Sequence, residues 1–184
     1  MLIEHVPVPD PGEYGRAQNR FRMTAWCLPR CNAARRARGV FRDQLAKLPL
    51  TADVLDELEI VVSELVTNAT RYAPGPYELR LLHDHGLPVR AEVVDAGAGT
   101  TLIDHLLHRP SPLPERLDDL ELGGRGLRIV TELTHGRCGT QWTRLCGTGQ
   151  LGTGVWFDLP TQPHQPRTPD LRIQRDRPHF PPIP

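Results

Sequence analysis

The sequence predicts an α+β fold: a two-layer α/β sandwich whose mostly antiparallel sheet carries its helices on one face. Three observations predict it. The stretch from Thr51 to Tyr72 keeps apolar residues at strict helical spacing. Short runs on either side alternate with the period of a strand and are punctuated by turn residues. The order strand, helix, long helix, hairpin, irregular loop, helix, hairpin intercalates helices around antiparallel strands.

Residues 1–22, with prolines at positions 7, 9 and 11 and little periodicity, are expected to form a loosely held arm. The sandwich itself is expected over 23–160. Met23 to Leu28 is a short apolar run with a tryptophan, a first strand ended by Pro29. Asn32 can cap a helix over residues 33–48, with Ala34, Ala37, Phe41 and Leu45 on one face. Arg35, Arg38 and Arg42 lie elsewhere on it, as a solvated face or as a surface for an acidic partner. Thr51 is a good N-cap for the long helix, Asp53 suits the positive end of its dipole, and Leu50 can staple onto Leu55. Its stripe is Val54, Leu58, Val61, Val62, Leu65, Val66 and Ala69, and Tyr72-Ala73-Pro74-Gly75-Pro76 stops it.

Tyr77, Leu79 and Leu81 alternate on one strand and Val89, Ala91 and Val93 on the next, joined through Asp84-His85-Gly86 as a hairpin. Periodicity then fails from Ala96 to Leu122, apart from a possible short helix at Leu102 to His108. Such a long connection inside a compact domain is usually functional or mobile. Leu127, Val130 and Leu133 form a last helical stripe, stopped by Gly136. Strands follow at Cys138 to Trp142 and Val155 to Leu159, with a turn from Gly147 to Gly154. Over 161–184 the composition shifts to proline without an apolar face, which predicts a disordered tail.

The formal net charge is zero, so nothing favours general attraction to nucleic acid or an anionic membrane. Of 22 basic residues all but Lys47 are arginine. No apolar run approaches the ~20 residues of a membrane span, and residues 1–14 lack the form of a signal peptide. A cytoplasmic protein is expected. Cys27, Cys31, Cys138 and Cys146 do not follow zinc-ligand spacing and read as small buried hydrophobes.

Four stretches carry chemistry. Glu64 and Asn68 break the long apolar stripe four residues apart, so they stack on one side of the helix at the core margin. The Asn68 oxygen is a neutral hard ligand suited to Mg²⁺, and Glu64 can accept a proton or orient water; the plain alternative is a solvated helix edge. Asp95-Ala96-Gly97-Ala98-Gly99 ends a strand. An acid there can accept a hydrogen bond from an exocyclic amine such as adenine's, and Gly97 and Gly99 admit a flat ligand; a strand-to-loop turn is the alternative. Gly123-Gly124-Arg125-Gly126-Leu127 feeds a helix N-terminus, an anion site with a forked donor or else a hinge. Gly152-Thr153-Gly154 enters the last strand, with the Thr153 hydroxyl available to a base or to Asp95. Neither the Walker nor the dinucleotide pattern is present.

In order and spacing, E-x-x-x-N, D-x-G-x-G, a long loop, G-G-R-G-L and G-T-G-V resemble the GHKL ATPase superfamily. Within it, the ELVTNA helix, the GRGL turn and the VWF strand resemble the bacterial anti-sigma-factor serine/threonine kinases, over about residues 23–160. The resemblance implies a Bergerat-type ATP-binding fold with ATP and Mg²⁺ as cofactors. Asn68 would coordinate Mg²⁺ and Glu64 would be the catalytic base. Asp95 would bind the adenine amine, with Gly97 and Gly99 beneath the base and Thr153 assisting. Gly124, Arg125, Gly126 and Leu127 would form the phosphate turn, and residues 98–122 the lid. The implied partners are a sigma factor and an antagonist protein, with a homodimer possible. Where the family commonly has His, four residues after the Asn, this chain has Tyr72. That departure keeps a second expectation in view: a nucleotide-binding regulatory module with little or no kinase activity.

Overall fold

The computed structural model describes residues 2–7, 21–46, 48–108 and 124–161. Among these, six strands form one sheet: β1 (Leu2–Pro7), β2 (Phe21–Leu28), β3 (Tyr77–Asp84), β4 (Leu87–Asp95), β5 (Cys138–Arg144) and β6 (Leu151–Asp158). Their order is β1-β2-β3-β4-β6-β5, with every neighbouring pair antiparallel. Helices α1 (Ala33–Leu45), α2 (Ala52–Tyr72), α3 (Thr100–His108) and α4 (Gly124–Leu133) complete the sandwich.

Helix α2 organises the core. Its N-terminus is capped as expected, the Thr51 hydroxyl accepting the Val54 N–H at 3.4 Å. Leu58, Val61, Val62, Leu65, Val66 and Ala69 are buried and join Leu79, Leu81, Ala91, Val93, Val155 and Phe157 from the strands in one cluster. Each buried Leu or Val there contributes about 1.5–3 kcal/mol. Phe41 of α1 meets Phe157 of β6 with ring centroids 6.1 Å apart. Two arginines of α1 turn to α2: Arg38 donates to the Ser63 hydroxyl and Arg42 pairs with Asp56 and Glu59. His85 and Gly86, with φ of 50° and 83°, make the tight β3–β4 turn that two-residue hairpins require.

The structure departs from expectation at several places. Within the expected arm, Leu2–Pro7 is an edge strand on β2, where a proline is tolerated because no ladder N–H is demanded on the open side. Asn32 makes no capping bond through its side chain; a 3₁₀ turn over Arg30–Asn32 leads into α1 instead. The last turn is shorter than expected, since β6 begins at Leu151 and so takes in Gly152 and Gly154. The short helix begins at Thr100, and the rest of the expected lid, 109–122, lies outside the described residues, as does the tail beyond Thr161. Of the cysteines, which are free thiols, Cys138 is buried as expected but Cys31 is exposed and Cys27 and Cys146 are half-buried. No helix among the described residues is long and apolar enough to cross a membrane.

Away from the helices, β3 and β4 bury charge rather than carbon. Glu78, Arg80 and Glu92 are 1%, 2% and 7% exposed. Arg80 bonds Glu78 through Nε and Nη2 (2.9 and 2.7 Å) and Glu92 through Nη1 (3.3 Å). Burial pushes the Glu92 carboxyl above the usual glutamate range. Glu78 suffers the same desolvation, but the N–H of Gly147, the Arg80 guanidinium and the N–H of Cys146 outweigh it and hold that carboxyl below its ordinary range.

Candidate functional site

Asp95 ends β4 and is 5% exposed. Its Oδ1 accepts the Gly97 N–H at 2.8 Å, and among the described residues nothing bonds Oδ2. Burial raises the carboxyl above the ordinary aspartate range, opposed by the Gly97 N–H. A buried acid with one oxygen unspent is suited to accept an amine donor. Gly97 cannot be larger: a Cβ there would stand 2.8 Å from Asp95 Oδ1 and 3.0 Å from the Ala73 Cβ.

Thr153 of β6 stands opposite Asp95 in register. Its hydroxyl donates to the Gly97 carbonyl at 2.8 Å and accepts the Gly99 N–H at 3.1 Å, and the residue is fully buried. The loop over 97–99 takes the hydroxyl's single proton and one of its two lone pairs, so it does not donate to Asp95, while one acceptor site stays open to a base. Thr153 shapes the loop beside Asp95 from within.

The second group gathers on α2. Glu64 and Asn68 are half-buried, and the first turn of α4 rests on them. A Cβ on Gly126 would lie 2.6 Å from Glu64 Oε2 and 3.3 Å from Asn68 Nδ2, so only glycine admits this approach. Asn68 Nδ2 is buried without a hydrogen-bond partner among the described residues. An unspent buried donor is costly, and among the described residues nothing satisfies it. Half a turn of the carboxamide exchanges its oxygen and nitrogen, so the same side chain offers a donor to phosphate or an oxygen to a cation. Gly124 opens α4, whose first N–H groups are free of intrahelical partners, as at any helix N-terminus. Arg125 is exposed and makes no ion pair or hydrogen bond among the described residues, leaving its guanidinium free. Leu127 is 5% exposed and belongs to the core, so its side chain is not a ligand group.

The two groups share α2. From Asn68 to Ala73 is about 7–8 Å along the axis, and the helix end carries the loop that follows Asp95. The Ala96 N–H donates to the Pro74 carbonyl at 3.1 Å, while Ala73 lies under Gly97. Ala73 and Pro74 read in the sequence only as a helix stop. Nothing but their placement directly before the β3–β4 hairpin hinted at a second role. Two grooves, of about 470 and 520 Å³, lie elsewhere, along α1 near Trp26, Arg36 and Cys27.

An antiparallel sandwich with a buried acid at a strand end, an unspent asparagine on the long helix and a glycine-fed helix terminus defines a GHKL-fold nucleotide-binding module. The chain belongs to the histidine kinase-like ATPase domain family, whose model matches residues 27–137. That span includes Glu64, Asn68, Asp95, Gly97, Gly99 and residues 124–127, whereas Thr153 lies beyond it. No curated protein matches the chain.

Proposed function

We propose that the protein binds ATP with Mg²⁺ in the cleft between α2, the 97–99 loop and the start of α4. In this reading it transfers the γ-phosphoryl group to a serine or threonine of a small antagonist protein, and it sequesters a sigma factor. The observation that carries the nucleotide reading is the buried Asn68 Nδ2 beside Gly126, without a hydrogen-bond partner among the described residues. Asp95 takes the adenine amine through Oδ2, and Gly97 and Gly99 bring the backbone against the base. Gly124, Arg125, Gly126 and the Leu127 N–H hold the phosphates, and Asn68 is the protein ligand to the cation. Mg²⁺, when bound, neutralises phosphate charge; the chain's own part is to position the groups. Glu64 accepts the proton of the attacking hydroxyl as the oxygen–phosphorus bond forms, and ADP leaves. The kinase assignment, the partners and the residue roles rest on the family resemblance, and the geometry above supports the cleft.

Tyr72 supports a second reading. It is 59% exposed at the end of α2, with the Arg71 guanidinium 5.6 Å from its ring centroid. A phenol lacks the ring nitrogens of the imidazole that the family commonly places there, so a nucleotide-sensing module without phosphoryl transfer fits the same cleft. Thermal melts separate these readings from one without nucleotide. ATP with Mg²⁺ at a hundredfold its Kd is expected to stabilise the wild type by ~2.7 kcal/mol, and Asn68→Ala to lose most of that gain. An unchanged melting temperature at millimolar ATP refutes nucleotide binding. Label from γ-labelled ATP reaching the antagonist then establishes the kinase, and binding without transfer establishes the sensor.

A further inference from the structure

The Glu78–Arg80–Glu92 cluster lies behind the sheet, yet its bonds converge on β5 and on the turn that leads into β6, the strand that holds the 97–99 loop. All five guanidinium N–H donors of Arg80 are spent: three on the two carboxylates, one on the Thr143 hydroxyl (2.9 Å) and one on the Arg144 carbonyl (2.5 Å). Glu78 accepts the N–H groups of Cys146 and Gly147 (3.1 and 3.0 Å), and Glu92 accepts Gln141 Nε2 at 2.7 Å. Every partner outside β3 and β4 therefore belongs to β5 or to the turn that enters β6.

Register shows where this grip falls. Thr143 stands opposite Gly152 and Gln141 opposite Gly154, the two residues flanking Thr153. A side chain at either glycine is excluded: a Cβ on Gly154 collides with the Glu92 carboxylate, and one on Gly152 with the Asp95 carbonyl. The glycines open a gap in β6 through which charges on β3 and β4 reach β5 behind Thr153. A buried triad of this kind is poor stabilisation, since well-packed apolar replacements are often as stable or more so. What it supplies is a fixed geometry.

We infer that the Glu78–Arg80–Glu92 cluster is a positioning device for Thr153. It holds β6 in place against Asp95, so that the Thr153 hydroxyl keeps the 97–99 loop in the form that receives the base. The link to nucleotide rests on the reading proposed above; the link to the loop does not. The test uses the full chain with Arg80→Lys, which retains the charge but lacks the fork, and Gln141→Leu/Thr143→Val, which leaves the triad intact and cuts its side-chain bonds to β5, keeping only the bond to the Arg144 carbonyl. The expected result in both is amide exchange at Gly99, whose N–H is held by Thr153, at least tenfold faster, with exchange at Val62 in α2 unchanged. ATP·Mg²⁺ Kd is expected to rise about tenfold. Unchanged Gly99 exchange in a folded variant overturns the inference, as does equal acceleration at Gly99 and Val62, which marks a merely structural role. If the wild type binds no ATP, the proposed function fails while Gly99 exchange still decides this one. Should Arg80→Lys not fold, the β5 double variant decides it alone.

Discussion

Burial holds the Asp95 carboxyl above the ordinary aspartate range, and the Gly97 N–H opposes it only in part. Ionising Asp95 therefore costs the folded state. Its favourable contribution is full below the unfolded pKa of ~3.9 and is lost as pH rises through the folded value. Asp95→Asn keeps an Oδ1 for Gly97 and removes the charge. It is expected to melt at or above the wild type at pH 7, with the difference closing towards pH 4, while the gain from ATP disappears. Melts from pH 4 to 7 check this, and a variant less stable than wild type at pH 7 contradicts it. Asp95 was legible in the sequence as a candidate only through its order with the other glycine stretches, since an acid before two glycines at a strand end is also a plain strand-to-loop turn. The charged cluster was not: Glu78 and Arg80 alternate with Leu79 and Leu81, the pattern of a solvent-facing edge. Only the turn at 145–150, folding back on β3, makes those positions interior. Leu127 divides its parts: its side chain serves the core, which leaves only its backbone for the glycine turn.

Helix α2 was the most legible element, because 3.6-residue periodicity over five turns, a threonine cap and a proline stop all agree. Leu65, 2% exposed between Glu64 and Asn68, fastens that segment to the sheet. Leu65→Ala is expected to cost about 2–5 kcal/mol in denaturant unfolding. Helix α1 offers the contrary change. Gly39 lies in its interior, and a Cβ there meets nothing within 4 Å. Gly39→Ala is expected to stabilise the protein by about 0.5–1 kcal/mol, and a loss of stability on the same unfolding curve contradicts this. Strand β1 was illegible for a physical reason: edge pairing needs no apolar alternation, and prolines nearby argue against a strand unless its open side is known. The placement of β6 between β4 and β5 was equally hidden, since adjacency in sequence paired it only with β5.

At the scale of the molecule, the candidate site draws on residues from Glu64 to Thr153, brought together by one sheet and one helix. The fold class was readable because alternation and helical spacing are local properties. The register that sets Asp95 opposite Thr153 was not, because it is set by strand order, although the Thr153 hydroxyl was already a candidate partner for Asp95. The same dispersal predicts how ligand acts on kinetics. A site assembled from so many separate segments is complete only after the main barrier to folding. ATP·Mg²⁺ is expected to slow unfolding in proportion to the stability that it adds, leaving the refolding rate unchanged. Stopped-flow refolding with and without nucleotide measures this, and faster refolding with nucleotide would show an early site.

Strand β6 completes the surroundings of Asp95, and it is the last described strand in the chain, inserted between two that precede it. On a ribosome adding ~5–20 residues per second, roughly 3–13 s separate the synthesis of Asp95 from that of Asp158. Throughout that interval the long helix and the acid already exist, and the glycine turn joins them about halfway through, but the gap beside β4 is open and the 97–99 loop has no Thr153 to hold it. The nascent chain is then a sheet with an unfilled slot, unable to retain nucleotide and exposed to any other strand that fits.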